Sequence, residues 1–141
     1  MDARSERALK GVHPDLVRVV RRAHELSGPG PGSKPGAGPG SQSGTGRFIV
    51  TEGLRSKERQ RQLVAAGASR TMNSRHLTGH AVDVAALVGG KVRWDWPLYA
   101  AIAKHMKAAA RELGVAIVWG GDWKSFRDGP HFELDRKHYP A

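Results

Sequence analysis

The sequence predicts an α+β domain, a small antiparallel sheet flanked by helices, and three observations carry that prediction. Segments with helical and with strand periodicity are mixed along the chain. The regular strand–helix–strand alternation of a doubly wound sheet is missing, and so are the glycines of a phosphate-binding loop. A chain of 141 residues can bury one core, so a single domain spanning 1–141 is expected.

The stretch "PDLVRVVRRAHELS" (14–27) reads as a helix. Pro14 suits the first turn, Asp15 favours a helix N-terminus, and Leu16, Val20 and Ala23 share one face. Next comes "GPGPGSKPGAGPGSQSGTG" (28–46), in which 12 of 19 residues are Gly or Pro. Such a segment buries too little to offset the entropy of ordering it. The 27 residues before it are too few to fold alone. It therefore reads as an insertion between a helix and a strand, with the helix docking back on the main body.

"RFIVT" (47–51) has strand-forming residues, and "SKERQRQLVAAG" (56–67) reads as a helix capped by Ser56 and stopped at Gly67. "HAVDVAAL" (80–87) alternates Ala81, Asp83 and Ala85 against Val82 and Val84, the pattern of a strand. Pro97 opens a further helix, with Leu98, Ile102, Met106, Ala109 and Leu113 on one side and Gly114 at its end. "VAIVW" (115–119) and "HFEL" (131–134) complete the expected strands.

Composition narrows the chemistry. Without cysteine there is no disulfide, no thiolate nucleophile and no Cys-type zinc finger, so any metal must be held by His, Asp or Glu. The 23 Lys and Arg against 13 Asp and Glu leave a charge of +10, which favours polyanionic partners: nucleic acid, anionic lipid or an anionic cell-wall polymer. The basic residues are scattered, and the densest run, "RVVRR" (18–22), sits on a helix; no stable nucleic-acid partner is expected. No apolar run is long enough for a membrane span, and "MDARSERALKGVHPDL" lacks the apolar core of a signal peptide.

The stretch "SRHLTGHAVDVAAL" (74–87) carries His76, His80 and Asp83. His76 and His80 have the spacing of the helical H-E-x-x-H metal motif, but position 77 is Leu, and Gly79 with the β-branched residues argues against a helix. A second geometry stays open. His76 would enter from a loop and Asp83 from a strand, beside small alanines that leave room for an ion. Equally open from this stretch alone is a turn-capping Asp83 and an ordinary surface His76.

A second cluster, "WGGDWKSFRDGPHFEL" (119–134), places Asp128 three residues before His131 across a Gly-Pro turn. A catalytic zinc needs three protein ligands and one open position. His131 would complete a His/Asp/His set and leave Asp128 near enough to act on water.

These residues carry a resemblance. "SRHLTGHAVD" is similar to the S-x-H-x-x-G-x-A-x-D signature of the zinc DD-peptidases that cut bacterial cell-wall peptides, and "DGPH" to their acid-x-x-His element. "VTEGLRSKERQ", "SRHLTGHAVDV" and "WGGDW" followed by "DGPHFEL" look most like the L-alanyl-D-glutamate endopeptidase branch found among phage endolysins. The likeness runs from about residue 9 to 134, apart from the Gly/Pro insertion, which the family pattern lacks. It implies a Hedgehog/DD-peptidase-like fold, Zn²⁺ held by His76, Asp83 and His131, and Asp128 as the catalytic acid/base.

The family also carries an arginine at the position of Arg55, where it implies contact with the polarised carbonyl or a substrate carboxylate; a fixed guanidinium suits an oxyanion. His80 is expected to be exposed or supporting, with a minority role as a fourth ligand. Glu133 would either orient a metal-bound histidine or sit as a solvated strand carboxylate. Trp119 and Trp123 are expected to be core or rim packing, Ser74 lacks the base that would make it a nucleophile, and the remaining histidines have no motif context.

The resulting expectation is a monomeric zinc-dependent peptidoglycan hydrolase that cleaves the stem peptide at the L-Ala–D-Glu bond. Made without a signal peptide, it would reach the wall through a membrane hole formed by another protein. The alternatives are a D-Ala-D-Ala carboxypeptidase or dipeptidase of the same fold and, from another class, a non-catalytic basic module binding nucleic acid or anionic wall polymer.

Overall fold

The structure is a computed structural model, and it describes residues 1–28, 46–68, 72, 74–124 and 127–140. Most of the expected Gly/Pro-rich insertion, residues 29–45, lies outside the described residues. In chain order the elements are α1 (Ala3–Ala8), α2 (Pro14–Leu26), β1 (Phe48–Glu52), α3 (Lys57–Ala65), a 3₁₀ turn (Arg75–Thr78), β2 (Ala81–Val88), β3 (Lys91–Arg93), α4 (Trp96–Leu113), β4 (Ile117–Trp119), a second 3₁₀ turn (Gly120–Asp122) and β5 (His131–Leu134).

The sheet runs β1-β2-β5-β4, with β3 hairpinned onto the far end of β2, and its pairings are antiparallel. An α+β architecture with a small antiparallel sheet is what the mixed periodicity led us to expect. One face of the sheet supplies Phe48, Val50, Val82, Val84, Phe132 and Leu134 to the core. Against it lie Leu16, Val19, Val20 and Ala23 of α2 and Ile102, Met106 and Ala109 of α4. The apolar stripes read along the two helices are thus the buried ones, as a 3.6-residue period requires. Arg22 of α2 also reaches Glu112 of α4 at 3.0 Å.

Two elements were not expected. The short helix α1 is capped by Asp2, whose carboxylate accepts from the Ser5 amide, and the buried Ser5 hydroxyl accepts from the Val50 amide at 2.9 Å. In this way α1 satisfies part of the β1 edge that would otherwise stand open. Strand β3 follows a Gly89-Gly90 turn whose residues have φ of +58° and +80°. Two left-handed residues match the right-handed twist of a tight hairpin.

Two features of the backbone position the site. The register of β1 on β2 slips between Val50 and Glu52, a bulge that sets Glu52 opposite Asp83. On the other side of β2, Asp83 is paired directly with His131 of β5. Directly paired residues project from the same side of a sheet, so these two side chains, 48 positions apart, meet by register.

Candidate metal centre

The site is assembled from three elements. His76 comes from the 3₁₀ turn after α3, Asp83 from the middle of the sheet, and His131 from the first residue of β5. One ligand atom from each lies within 4.8 Å of the other two. Neither His80 nor Asp128 belongs to that set. Oδ1 of Asp83 faces both imidazoles, 3.2 Å from Nε2 of His76 and 3.3 Å from Nδ1 of His131.

Each histidine has its other nitrogen committed elsewhere. Nδ1 of His76 is 2.8 Å from the Gly53 carbonyl, which can only accept, so that nitrogen carries the proton. Nε2 is then left with a lone pair, buried and without a hydrogen-bond partner. Nε2 of His131 donates to Oε1 of Glu133 at 2.8 Å, which turns Nδ1 toward Asp83. A carboxylate or carbonyl behind each imidazole is the arrangement that orients histidines on a metal. A buried lone pair aimed at a carboxylate oxygen and a second imidazole is a donor set that suits a divalent cation.

Burial alone would raise the Asp83 carboxyl, but the hydrogen bond to His131 and the close approach of both imidazoles outweigh it and hold the group well below the usual carboxylate range. His131 shows the opposite result. Burial pushes it down, yet hydrogen bonds to Asp83 and Glu133 prevail and carry it to about 9.

The local chain geometry has clear causes. Ser74 caps the 3₁₀ turn by accepting from the His76 amide at 3.2 Å, so the signature serine is structural. Gly79 ends the turn in the left-handed region, φ +73°, and a Cβ there would run into the Gly11 carbonyl. The Gly79 carbonyl meanwhile accepts from the His13 amide at 2.8 Å, which ties the turn to the start of α2. On the other side, Gly120 lets the 127–131 loop approach: a Cβ there would strike the Asp128 carbonyl, and the Gly120 carbonyl accepts from the Asp128 amide at 3.0 Å.

Asp128 lies beside the three donors without joining them. Burial chiefly raises its carboxyl above the ordinary range, and the Asp83 charge adds to this, partly offset by His131, His76 and Arg55. A carboxylate pushed up in this way is suited to take a proton and give it back.

Arg55 reaches the site, but not as a free guanidinium. It is buried, with Nε and one terminal nitrogen on the two Glu52 oxygens at 2.8 and 2.9 Å. Another nitrogen donates to Gln60 at 2.7 Å, and the group stands 3.5 Å from Oδ2 of Asp83. In this arrangement the guanidinium braces the Asp83 carboxylate from behind. Glu52 and Gln60 went unnoticed in the sequence, because the β1 bulge and the α3 packing that bring them to Arg55 leave no motif.

His80 points away, with Nδ1 2.7 Å from the Thr78 hydroxyl. Glu133 takes the orienting role that was one of its two readings. Behind it lies Arg75, also unnoticed in the sequence. Its buried guanidinium donates to the carbonyls of Leu134 and Tyr139 at 3.0 and 2.8 Å and lies 3.8 Å from Glu133. Trp119 is core, its indole nitrogen donating to the Gly129 carbonyl at 2.7 Å, while Trp123 packs its ring 5.1 Å from that of His131.

Residues 42–140 match the family model of the phage L-alanyl-D-glutamate peptidases. The chain belongs to this family. Among family relatives, the L-alanyl-D-glutamate peptidase of Escherichia phage T5 is 32% identical over 139 residues, covering 96% of this chain and 88% of that protein. The peptidoglycan L-alanyl-D-glutamate endopeptidase CwlK of Bacillus subtilis is 31% identical over 108 residues, 61% of this chain and 59% of its own length. The crystal structure of the Serratia marcescens L-Ala D-Glu endopeptidase ChiX superposes with a TM-score of 0.83 at 50% identity, covering 100% of this chain and 93% of that one. The antiparallel sheet with its flanking helices is thus the family fold.

Proposed function

We propose that this chain is a zinc-dependent peptidoglycan hydrolase, a phage endolysin, that cleaves the stem peptide between L-Ala and D-Glu. One observation carries the reading: His76, Asp83 and His131 bring three ligand atoms within 4.8 Å of one another, with the raised carboxyl of Asp128 next to them. The names of the relatives favour L-Ala–D-Glu over D-Ala–D-Ala as the bond cut.

A divalent zinc held by these three residues would supply a Lewis acid that polarises the scissile carbonyl and lowers the pKa of water toward about 7. The protein's own groups do the rest. As water adds to the carbonyl, the Asp128 carboxylate accepts its proton; the resulting carboxyl returns that proton to the departing D-Glu amine. Glu133 and the Gly53 carbonyl keep the two imidazoles in the tautomer that leaves a lone pair inward. Arg55 positions Asp83 from behind.

In this reading residues 1–141 form one peptidase domain with 28–46 as an insertion, and the monomer acts on the wall after release from the host cell. The test is digestion of purified peptidoglycan with mass analysis of the fragments, on a sample of known metal content. New N-terminal D-Glu, loss of cleavage with a chelator and recovery with zinc are expected. Asp128→Asn should keep the metal and lose about a thousand-fold in kcat, whereas His76→Ala and His131→Ala should lose both metal and cleavage. Release of terminal D-Ala instead would establish a carboxypeptidase; metal-independent, salt-sensitive binding of DNA without cleavage would establish a basic binding module.

A further inference from the structure

One residue before Asp128 stands a cation with no counter-charge among the described residues, which include all 13 Asp and Glu of the chain. Arg127 is exposed, yet its head is held on two sides. Its Nε donates to the Gly121 carbonyl at 2.9 Å, and its guanidinium carbon lies 4.4 Å from the centre of the Trp96 ring. Trp96 is itself braced, 5.8 Å from the Trp119 ring, and a Cβ on Gly129 would press on it at 3.3 Å. Stacking on an indole restrains a guanidinium without using the donors along its edge. Arg127 is therefore oriented and without an ion-pair partner among the described residues, one position along the chain from the carboxyl proposed to move the proton. The other arginine of the site, Arg55, is already committed to Glu52, Gln60 and Asp83.

The chemistry of the proposed substrate offers a matching anion. A D-glutamate whose amine lies in the scissile amide has two carboxyl groups, and only one can continue the peptide. The other is a free carboxylate within a few bonds of the scissile nitrogen, whereas the alanine side presents none. We infer that Arg127, stacked on Trp96, binds this free D-glutamate carboxylate on the amine side of the scissile bond and makes the enzyme prefer the acid over its carboxamide. The inference rests on the L-Ala–D-Glu reading above. A planar fork pairing with a carboxylate in bidentate fashion loses both its charge and one acceptor when the partner becomes an amide.

The test uses two synthetic peptides with an L-Ala–D-Glu bond, one with the spare glutamate carboxyl free and one with it amidated. Steady-state rates are measured for the metal-loaded wild type, Arg127→Met and Arg127→Lys. The wild type should cut the acid with kcat/KM about ten-fold or more above the amide, mainly through KM. Arg127→Met should bring the acid down to the level of the amide and leave the amide within about two-fold, while Arg127→Lys should keep part of the preference. Equal wild-type rates on both peptides, or an Arg127→Met variant that keeps the full preference, would overturn the assignment while leaving the L-Ala–D-Glu reading intact. A metal-loaded wild type that cuts neither peptide would sink that reading, and the assignment with it.

Discussion

Glu133 and Arg55 show how much of this site lies one layer behind the candidate ligands. Glu133 is buried, and its carboxylate accepts from Nε2 of His131 and so decides which nitrogen faces Asp83. Glu133→Gln keeps the shape but presents an amide that can donate as well as accept. Metal affinity is expected to fall about 10- to 100-fold, read by competition with a chromogenic chelator, with the fold unchanged by circular dichroism. A variant that binds zinc as tightly as the wild type would show that His131 needs no such partner. At this scale the sequence was legible wherever a residue sits in a short local pattern, as with His76, Asp83 and the Asp128–His131 pair. Glu52, Gln60 and Arg75 were not, because each earns its role from a partner brought in by strand register or helix packing, and neighbours in the chain carry no trace of that.

Among the elements, the 3₁₀ turn of Arg75–Thr78 is the part that must be right for His76 to point inward. Gly79→Ala would require a left-handed alanine and drive its Cβ into the Gly11 carbonyl. The expected cost is roughly 2 kcal/mol, a fall in Tm of about 5 °C, with weakened metal binding because His76 moves with the turn. Helix α2 offers a separate test through His24, half-buried edge-on to Phe48 at 5.7 Å. Desolvation lowers its pKa from the ordinary 6.5. A histidine whose folded pKa lies below its unfolded one contributes stability that is present above the unfolded value and lost as pH falls through the folded one. Acidification from about pH 7 to about pH 5 should therefore destabilise the wild type more than His24→Gln, as followed by urea unfolding; parallel slopes would count against it. The helices were readable because amphipathic periodicity and Pro/Gly punctuation are local. The hairpin to β3 went unread: its strand is exposed and lacks alternation, and the Gly89-Gly90 pair was the one local signal for it. Helix α1 is held by Ser5 reaching Val50, a contact 45 positions apart.

For the whole molecule, the charge of +10 favours anionic partners, and under the proposed function it would set the approach to the wall rather than the bond cut. Long-range attraction to an anionic polymer is screened over roughly 10 Å at 0.1 M salt, whereas the donors of the site are buried and close together. Raising salt from about 0.02 to about 0.2 M should slow lysis of intact walls several-fold and leave hydrolysis of a short soluble peptide nearly unchanged. Equal salt sensitivity on both substrates would mean that charge acts within the catalytic step instead.

The amino-acid sequence by itself determined the α+β class, the ends of the principal helices, and the identity of the three candidate ligands with their neighbouring carboxylate. Each of these is written in side chains close together along the chain, where steric and hydrogen-bonding preferences act over a turn or a strand. What only the tertiary structure decided was which groups face one another: Asp83 against His131 across β2 and β5, Arg55 on Glu52, Gln60 and Asp83, and Arg127 stacked on Trp96. Those pairings depend on register, a bulge and the packing of loops at long sequence separation, and no local preference encodes them.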